Sequence, residues 1–118
     1  MKKVSFEEMG ALVVTMAVDG AVDAGQSVMM SGDGAVKVCG AGKRGCGVAV
    51  SVSVDGFAGV QVRGAAEAAY SGAVPVVGWN KLTGDGAGGF QVAADGQESG
   101  EYLVVSVDTV GKTAVILL

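Results

Sequence analysis

Histidine is absent from the 118-residue sequence, and the chain has one proline, three phenylalanines, two tyrosines and one tryptophan. Without histidine there is no His-based catalytic triad, no histidine-ligated zinc and no imidazole acid–base group. Charged residues make up only 17% of the chain and leave a net charge of −4, where an ordinary soluble domain has about 25% charged residues. This balance argues against a protein that coats DNA or RNA, because such binding needs a basic surface.

Long hydrophobic runs are also missing. The apolar run Gly10–Val18 has nine residues, whereas a membrane-spanning helix needs about 20. Glu7 and Glu8 precede this run at a place where an export signal is basic or apolar. We therefore expect a soluble chain made in the cytoplasm, with no membrane contact, whose first strand is hydrophobic.

The two cysteines, Cys39 and Cys46, flank the segment Gly40–Gly45. A zinc site needs further cysteine or histidine ligands, which this sequence does not have, so we expect no metal. A disulfide across a hairpin stays open as an alternative, but two free thiols in a reducing compartment fit the sequence better.

Valine and glycine dominate the composition, and 21 of the residues are glycine. β-Branched side chains favour strands and glycine favours tight turns, so many short strands are expected. Apolar and polar residues alternate in Leu12–Val18, Val36–Val38, Val48–Val54 and Val60–Arg63. In Val48–Val54 this alternation predicts that all four valines face the core. Turn sequences separate the strands at Ser31–Gly34, Val54–Gly56, Ala94–Gly96 and Val110–Lys112.

These patterns predict an all-β protein with about eight to ten strands in one small β-barrel or β-sandwich. The final segment, Thr113–Leu118, is apolar on both faces, which predicts a central strand or one covered by a neighbouring chain. Helical signals are weak: only Ser5–Met9 and Gly64–Tyr70 have the composition of short helical turns.

One motif, Gly40–Gly45, has the spacing GxGxxG of a dinucleotide-binding loop. That loop must lead into a helix whose N-terminus holds phosphate, but Cys46–Val50 has the pattern of a strand. We therefore expect no nucleotide and no other cofactor, and we interpret Lys43 and Arg44 as a solvated loop tip. Six aspartates lie at or beside glycine in turns, where their side chains cap backbone amides: Asp19, Asp23, Asp33, Asp55, Asp85 and Asp95. The sequence therefore predicts no catalytic residue and no enzyme.

The order of short motifs from Ala24 to Leu118 resembles the small head-decoration, or capsid cement, proteins of tailed bacteriophages and prophages. The motifs are Ala24–Val28, Gly32–Gly34, Gly47–Val50, Asp55–Gly56, Val60–Gly64, Glu67, Tyr70–Gly72, Gly78, Gly88–Gly89 and the closing Val/Leu strand. The resemblance implies a non-enzymatic, β-tulip-like barrel with short turns and little helix. It also implies a trimer on the outer face of the virion capsid, at three-fold or quasi-three-fold positions, clamping major capsid subunits.

On this interpretation residues 1–20 form an N-terminal arm and first strand in contact with the capsid or another subunit, and residues 21–118 form the barrel. The expected partners are the major capsid protein and further copies of the chain, with no nucleic acid and no membrane. The residues predicted for such an interface are Phe6, Met9, Leu12, Tyr70, Trp79, Ile116 and Leu118.

The competing hypothesis is a ligand-binding β-module for carbohydrate or peptide, on a phage fibre or a cell surface. It would use Trp79, Tyr70 or Tyr102 as a stacking platform beside the glycine-rich loop Thr83–Gly89. Aromatic rings of this kind are also common as core plugs and in subunit contacts.

Overall fold

The computed structural model describes residues 11–118, and this part of the chain is all-β, without a helix. The all-β fold predicted from the alternating pattern is confirmed. The strands are β1 (Leu12–Val18), β2 (Ser27–Gly32), β3 (Ala35–Val38), β4 (Gly47–Val52), β5 (Phe57–Arg63), β6 (Ala65–Ala69), β7 (Gly78–Gly84), β8 (Phe90–Val92), β9 (Gly100–Asp108) and β10 (Thr113–Leu117).

The first five strands form a closed barrel in the order β1-β3-β2-β4-β5. Most neighbours are antiparallel, but β1 lies parallel to β3 through the pairs Ala17↔Ala35 and Val18↔Val36. The turns follow the sequence signals: Gly34 and Gly56 both have positive φ, at the β2–β3 and β4–β5 hairpins. The barrel closes because β5 pairs with both β1 and β4.

The other five strands form a sheet in the order β6-β10-β9-β7-β8. β10 lies between β6 and β9, so the two-faced apolar segment at the end of the chain is a central strand, as predicted. A parallel bridge between Tyr70 and Phe90 brings the two edges of this sheet together. The second sheet is therefore strongly curled around its own core.

Each half of the molecule encloses a hydrophobic cluster. The barrel cluster contains Val22, Val28, Val36, Ala49, Ala58 and Val60. The cluster of the second sheet contains Val48, Ala66, Ala68, Tyr70, Leu82, Phe90, Val104, Ala114 and Ile116. Val48 comes from a barrel strand but packs in the second cluster, so the two cores are joined at β4.

Buried polar groups also join the two halves. The Ser27 hydroxyl donates to the Gly89 carbonyl (3.0 Å) and the Thr83 hydroxyl donates to the Lys43 carbonyl (3.0 Å). The Gln61 side-chain amide donates to the carbonyls of Arg63 and Ala65, at 3.0 and 2.8 Å. Because an unpaired polar group is costly to bury, these bonds set how the barrel meets the second sheet.

Two sequence interpretations are wrong in detail. The four valines of Val48–Val54 do not share a core face. Ala49 lies in the barrel cluster, Val48 is buried against the second sheet, and Val50, Val52 and Val54 are exposed. The register of β4 against β5 also shifts between Ala49 and Ser51, and a β-bulge of this kind breaks the two-residue period.

The segment Gly64–Tyr70, which has the composition of a helical turn, contains strand β6 instead. Its alanines at positions 66 and 68 face the core, and Glu67 between them is exposed. Pairing with β10 along its whole length outweighs the helical propensity of alanine. The other candidate for a helical turn, Ser5–Met9, lies outside the described residues.

The predicted boundary near residue 20 falls after β1. In the structure β1 is an integral barrel strand between β3 and β5, so the described part of segment 1–20 belongs to the barrel. A contact between this segment and a capsid or another subunit stays a prediction.

Candidate interaction surfaces

Three of the residues predicted for an interface lie at the surface. Leu12 is exposed at the start of β1, and Trp79 on β7 exposes 68% of its surface. Leu118 is partly buried and lines a groove between the barrel and the second sheet. Leu12 is the cross-strand partner of Arg63, and the Leu118 amide donates to the Gly64 carbonyl (2.9 Å), so these two residues lie near each other at the end of β5, whereas Trp79 lies on β7.

The other predicted residues are not on the described surface. Tyr70 and Ile116 are buried in the core of the second sheet, where Ile116 exposes only 1% of its surface. Phe6 and Met9 lie outside the described residues. The side chains of Tyr70 and Ile116 are not accessible at the surface of a single chain. Their positions therefore do not support a role in an interface, and that role stays a prediction.

The aromatic rings do not share one exposed face. The ring of Tyr102 packs edge-on against Phe90, with centroids 5.8 Å apart, and its hydroxyl lies 3.5 Å from the Gly45 carbonyl. Tyr70 is in the core, whereas Trp79 faces outward. Of the three rings that the ligand-binding hypothesis named, only Trp79 is exposed enough to stack on a ligand.

A shallow apolar hollow lies on the outside of the barrel, across β1, β5 and β4. We call it the barrel patch; the exposed side chains of Val13, Val52 and Phe57 line it, and the exposed side chain of Val50 lies next to it, beside Gly59. Its volume is about 350 Å³, and its lining includes no charged side chain. Sequence reasoning missed this surface, because it assigned the valines of β4 to the core.

A second apolar surface lies on the other half of the molecule. We call it the tryptophan patch, and it comprises Val74, Val76, Val77 and Trp79, all exposed. Trp79 is the cross-strand partner of Leu103, and Leu103 is in turn the partner of Leu117. These partly buried leucines extend the apolar surface across three strands of the second sheet.

Asn80 holds the tryptophan patch in its outward position. Its side-chain oxygen accepts from the Val76 amide (3.3 Å), and its side-chain nitrogen donates to the carbonyls of Val76 (2.6 Å) and Gly78 (3.1 Å). These bonds close a tight loop before β7, so Val76 and Val77 are displayed without being covered by their own chain. The apolar run Val74–Val77 is the sequence signal for this surface.

A groove of about 460 Å³ lies where the barrel meets the second sheet. We call it the seam groove; it is lined by Met29, Met30, Arg44, Gly45, Cys46, Val62, Arg63, Tyr102 and Leu118. The two arginines of the sequence, Arg44 and Arg63, both lie here. No Asp or Glu side chain is among the described residues that line it. Lys43 and Arg44 are both exposed in the loop, as the interpretation of a solvated tip predicts, and Arg44 also lines this groove.

The loop that contains Arg44 is held by contacts with the second sheet rather than by a helix. The Gly42 amide donates to the Gly84 carbonyl (3.0 Å), and the Gly84 amide donates to the Lys43 carbonyl (2.8 Å). The Lys43 ammonium lies 3.6 Å from Glu98. Strand β4 follows the loop, as predicted, so the GxGxxG spacing here has no helix N-terminus to hold a phosphate.

The glycine-rich loop Thr83–Gly89 is organised by one carboxylate. Asp85 accepts from the backbone amides of Ala87 (2.8 Å) and Gly89 (2.9 Å) and from the Ser71 hydroxyl (2.8 Å). The predicted capping role of a turn aspartate is confirmed here. All these contacts are made within the chain.

Burial raises the pKa of Cys39, Cys46 and Tyr102 above the ordinary values of 9.0 for a thiol and 10.0 for a phenol. For Cys39 the neighbouring Cys46 raises the pKa further. For Tyr102 the Arg44 guanidinium acts in the opposite direction, but burial prevails. Both cysteines are free thiols in the structure.

These shifts predict that the protein loses stability in alkaline solution. The unfolded chain releases these three protons at lower pH than the folded chain, so their contribution to the free energy of unfolding is complete well below pH 9 and is lost as the pH rises above the ordinary values of these groups. Urea unfolding between about pH 8 and pH 10.5 measures this. In Tyr102→Phe the free energy of unfolding should fall less steeply above about pH 10 than in the wild type. A free energy of unfolding that rises with pH in this range would contradict the prediction.

Among residues 11–118, no three His, Cys, Asp or Glu side chains are grouped so as to hold a metal ion. The same range contains no helix of the length and apolarity that crossing a membrane requires. No known protein family model matches the sequence, and no curated protein matches it either.

Proposed function

We propose that this protein is a structural assembly protein that decorates the outside of a tailed-bacteriophage capsid, as a trimer bound to the major capsid protein. The observation that carries the proposal is the pair of exposed apolar surfaces, the barrel patch and the tryptophan patch, on the two halves of one chain. The order of motifs from Ala24 to Leu118, which resembles that of head-decoration proteins, supports the capsid as the partner.

Exposed apolar patches are a recognised sign of contact with partners. Monomeric proteins seldom expose a continuous apolar area above a few hundred Å², and larger patches mark contacts with partners. Two different patches on one chain also suit a head-to-tail contact, in which one surface of each copy meets the other surface of the next. Such contacts form a closed ring when the rotation between neighbouring copies closes, and a trimer is one of the smallest rings.

A cement protein does not need one strong site. An interface of about 1,000 Å² per contact is enough for specific binding, and repetition over a shell multiplies weak contacts into high avidity. The net charge of −4 suits the outer surface, because an acidic protein does not compete for the packaged DNA. The proposal therefore needs only shape and apolar burial.

Removing the apolar side chains of the tryptophan patch should abolish self-association without unfolding the chain. We expect the wild-type protein to sediment as a trimer at about 50 µM, and the double variant Val76→Ser/Trp79→Ser to sediment as a monomer. The reason is that truncating an aromatic side chain at the centre of an interface often costs about 2 kcal/mol or more of binding free energy. Analytical ultracentrifugation measures the mass, and thermal unfolding checks that the variant is folded.

The matched control is Val110→Ser, since Val110 is 94% exposed in the β9–β10 turn and belongs to neither patch. This variant should sediment like the wild type. Co-sedimentation with expanded capsids of a tailed bacteriophage tests the capsid partner. A strict monomer that does not bind such capsids would rule out the proposal.

A further inference from the structure

The barrel patch is concave, and part of its lining has no side chain. Gly59 belongs to that lining, and a Cβ atom on it would come within 2.8 Å of the Ser51 hydroxyl oxygen and 3.2 Å of a Val13 methyl group. Glycine at this position therefore keeps the hollow open between the side chains of Val13, Val52 and Phe57. The volume of about 350 Å³ is larger than that of one indole side chain.

Trp79 has the size and the chemistry that fit this hollow. It is the only tryptophan of the sequence and exposes 68% of its surface, beside a loop that the Asn80 side chain closes. A covered aromatic ring of this kind buries about 150–250 Å², and the indole N–H donates one hydrogen bond. The lining of the hollow offers apolar side chains for the ring, and the hydroxyls of Thr15 and Ser51 can accept the hydrogen bond.

The two surfaces differ in shape, and this difference decides the symmetry of a contact between copies. In a two-fold contact each surface meets itself, so one Trp79 ring would meet another and the hollow would stay empty. In a head-to-tail contact the hollow of one copy covers the ring of the next. No charged side chain is among the described residues that define the two surfaces, so this contact buries no unpaired charge of theirs.

We propose that the barrel patch is the binding site for Trp79 of a second copy of this chain. The indole enters the hollow between Val13, Val52 and Phe57, and its N–H donates to a hydroxyl of the lining. Val76 and Val77 follow the ring onto the rim of the hollow. The inference rests on the proposed function, because it specifies the contact that joins neighbouring copies of the proposed trimer.

Two variants that each lose one of the surfaces test this contact by complementation. Val76→Ser/Trp79→Ser keeps the hollow, whereas Val52→Glu keeps Trp79 and places a carboxylate in the hollow. We expect each variant alone to sediment as a monomer at about 200 µM, and their equimolar mixture to form a complex of twice that mass, since one intact contact remains but no ring closes. Only the Val52→Glu copy contains tryptophan. Its fluorescence should therefore shift to shorter wavelength on mixing, as Trp79 leaves water.

Val110→Glu is the matched control, because it places the same charge on a valine that is 94% exposed and lies outside both patches. It should sediment like the wild type. Val13→Glu places the charge in the hollow from β1 and should behave like Val52→Glu, so the test does not depend on the folding of one variant. Thermal unfolding checks that each variant is folded.

A mixture that stays monomeric would overturn this contact, and so would a Val52→Glu protein that associates on its own. If the wild type is a trimer in either case, only the assignment of Trp79 to the hollow fails and the proposed function stands. A wild type that stays monomeric at about 200 µM would also overturn the contact. The proposed function then fails only if that monomer does not bind capsids.

Discussion

Replacing Ile116 by alanine should lower the free energy of unfolding by about 2–5 kcal/mol. Ile116 exposes 1% of its surface and lies on the central strand β10, in the cluster of the second sheet. Removing its side chain loses buried apolar surface and leaves a cavity that a sheet paired on both sides of β10 cannot close. Since a domain of this size is stable by about 5–15 kcal/mol, the loss is a large fraction of the total. Urea unfolding followed by circular dichroism measures it.

The control for this variant is Val110→Ala, which truncates an apolar side chain that is 94% exposed and should change the free energy of unfolding by less than about 0.5 kcal/mol. The experiment also decides between two roles for Ile116. A core residue lowers stability at every protein concentration, whereas an interface residue mainly weakens self-association. If Ile116→Ala left the free energy of unfolding unchanged but altered the oligomeric state in solution, the main role of Ile116 would be in an interface and not in the core.

Replacing Gly47 by alanine should destabilise the barrel by about 3 kcal/mol. Gly47 begins β4, where its backbone lies so close to β5 that a Cβ atom would overlap the Gln61 carbonyl oxygen and come within 2.9 Å of a Val60 methyl group. Both neighbours belong to a strand that is paired on each side, and a backbone carbonyl in such a strand cannot move away cheaply. The expected result is a lower urea midpoint with an unchanged unfolding slope.

Gly32→Ala is the matched control for Gly47→Ala. Gly32 is also a strand glycine, at the end of β2, but a Cβ atom there would meet no atom within 4 Å, and its φ is not in the left-handed region. Its replacement should be neutral or slightly stabilising, because alanine restricts the unfolded chain more than glycine does. Equal losses from the two substitutions would show that the close approach of β4 and β5 is not the cause.

Local features of the structure were predictable because they depend on neighbouring residues. The hairpins at Gly34 and Gly56 follow from the conformations that glycine allows, and the strands β1 and β5 follow from a two-residue alternation. The central place of β10 followed from its two apolar faces. Each of these signals lies within about ten residues of chain.

The candidate surfaces were less predictable, because they depend on pairings between distant segments. Val50 and Val52 are exposed whereas Val48, on the same strand, is covered by the second sheet, and no feature of β4 alone marks which of its valines are covered. Arg44 and Arg63 meet at one groove because the loop before β4 and the end of β5 are joined by the barrel. Segment Gly64–Tyr70 is a strand because β10 offers it a partner over its whole length.

By itself, then, the sequence determined the all-β class, the turns and the alternating strands, since these follow from the backbone preferences of valine and glycine over short distances. Only the tertiary structure decided which valines are buried, that Ile116 is in the core while Trp79 is exposed, and that the two arginines share a groove. The physical reason is that burial and proximity depend on strand order and register, which arise from pairing between segments far apart in the chain.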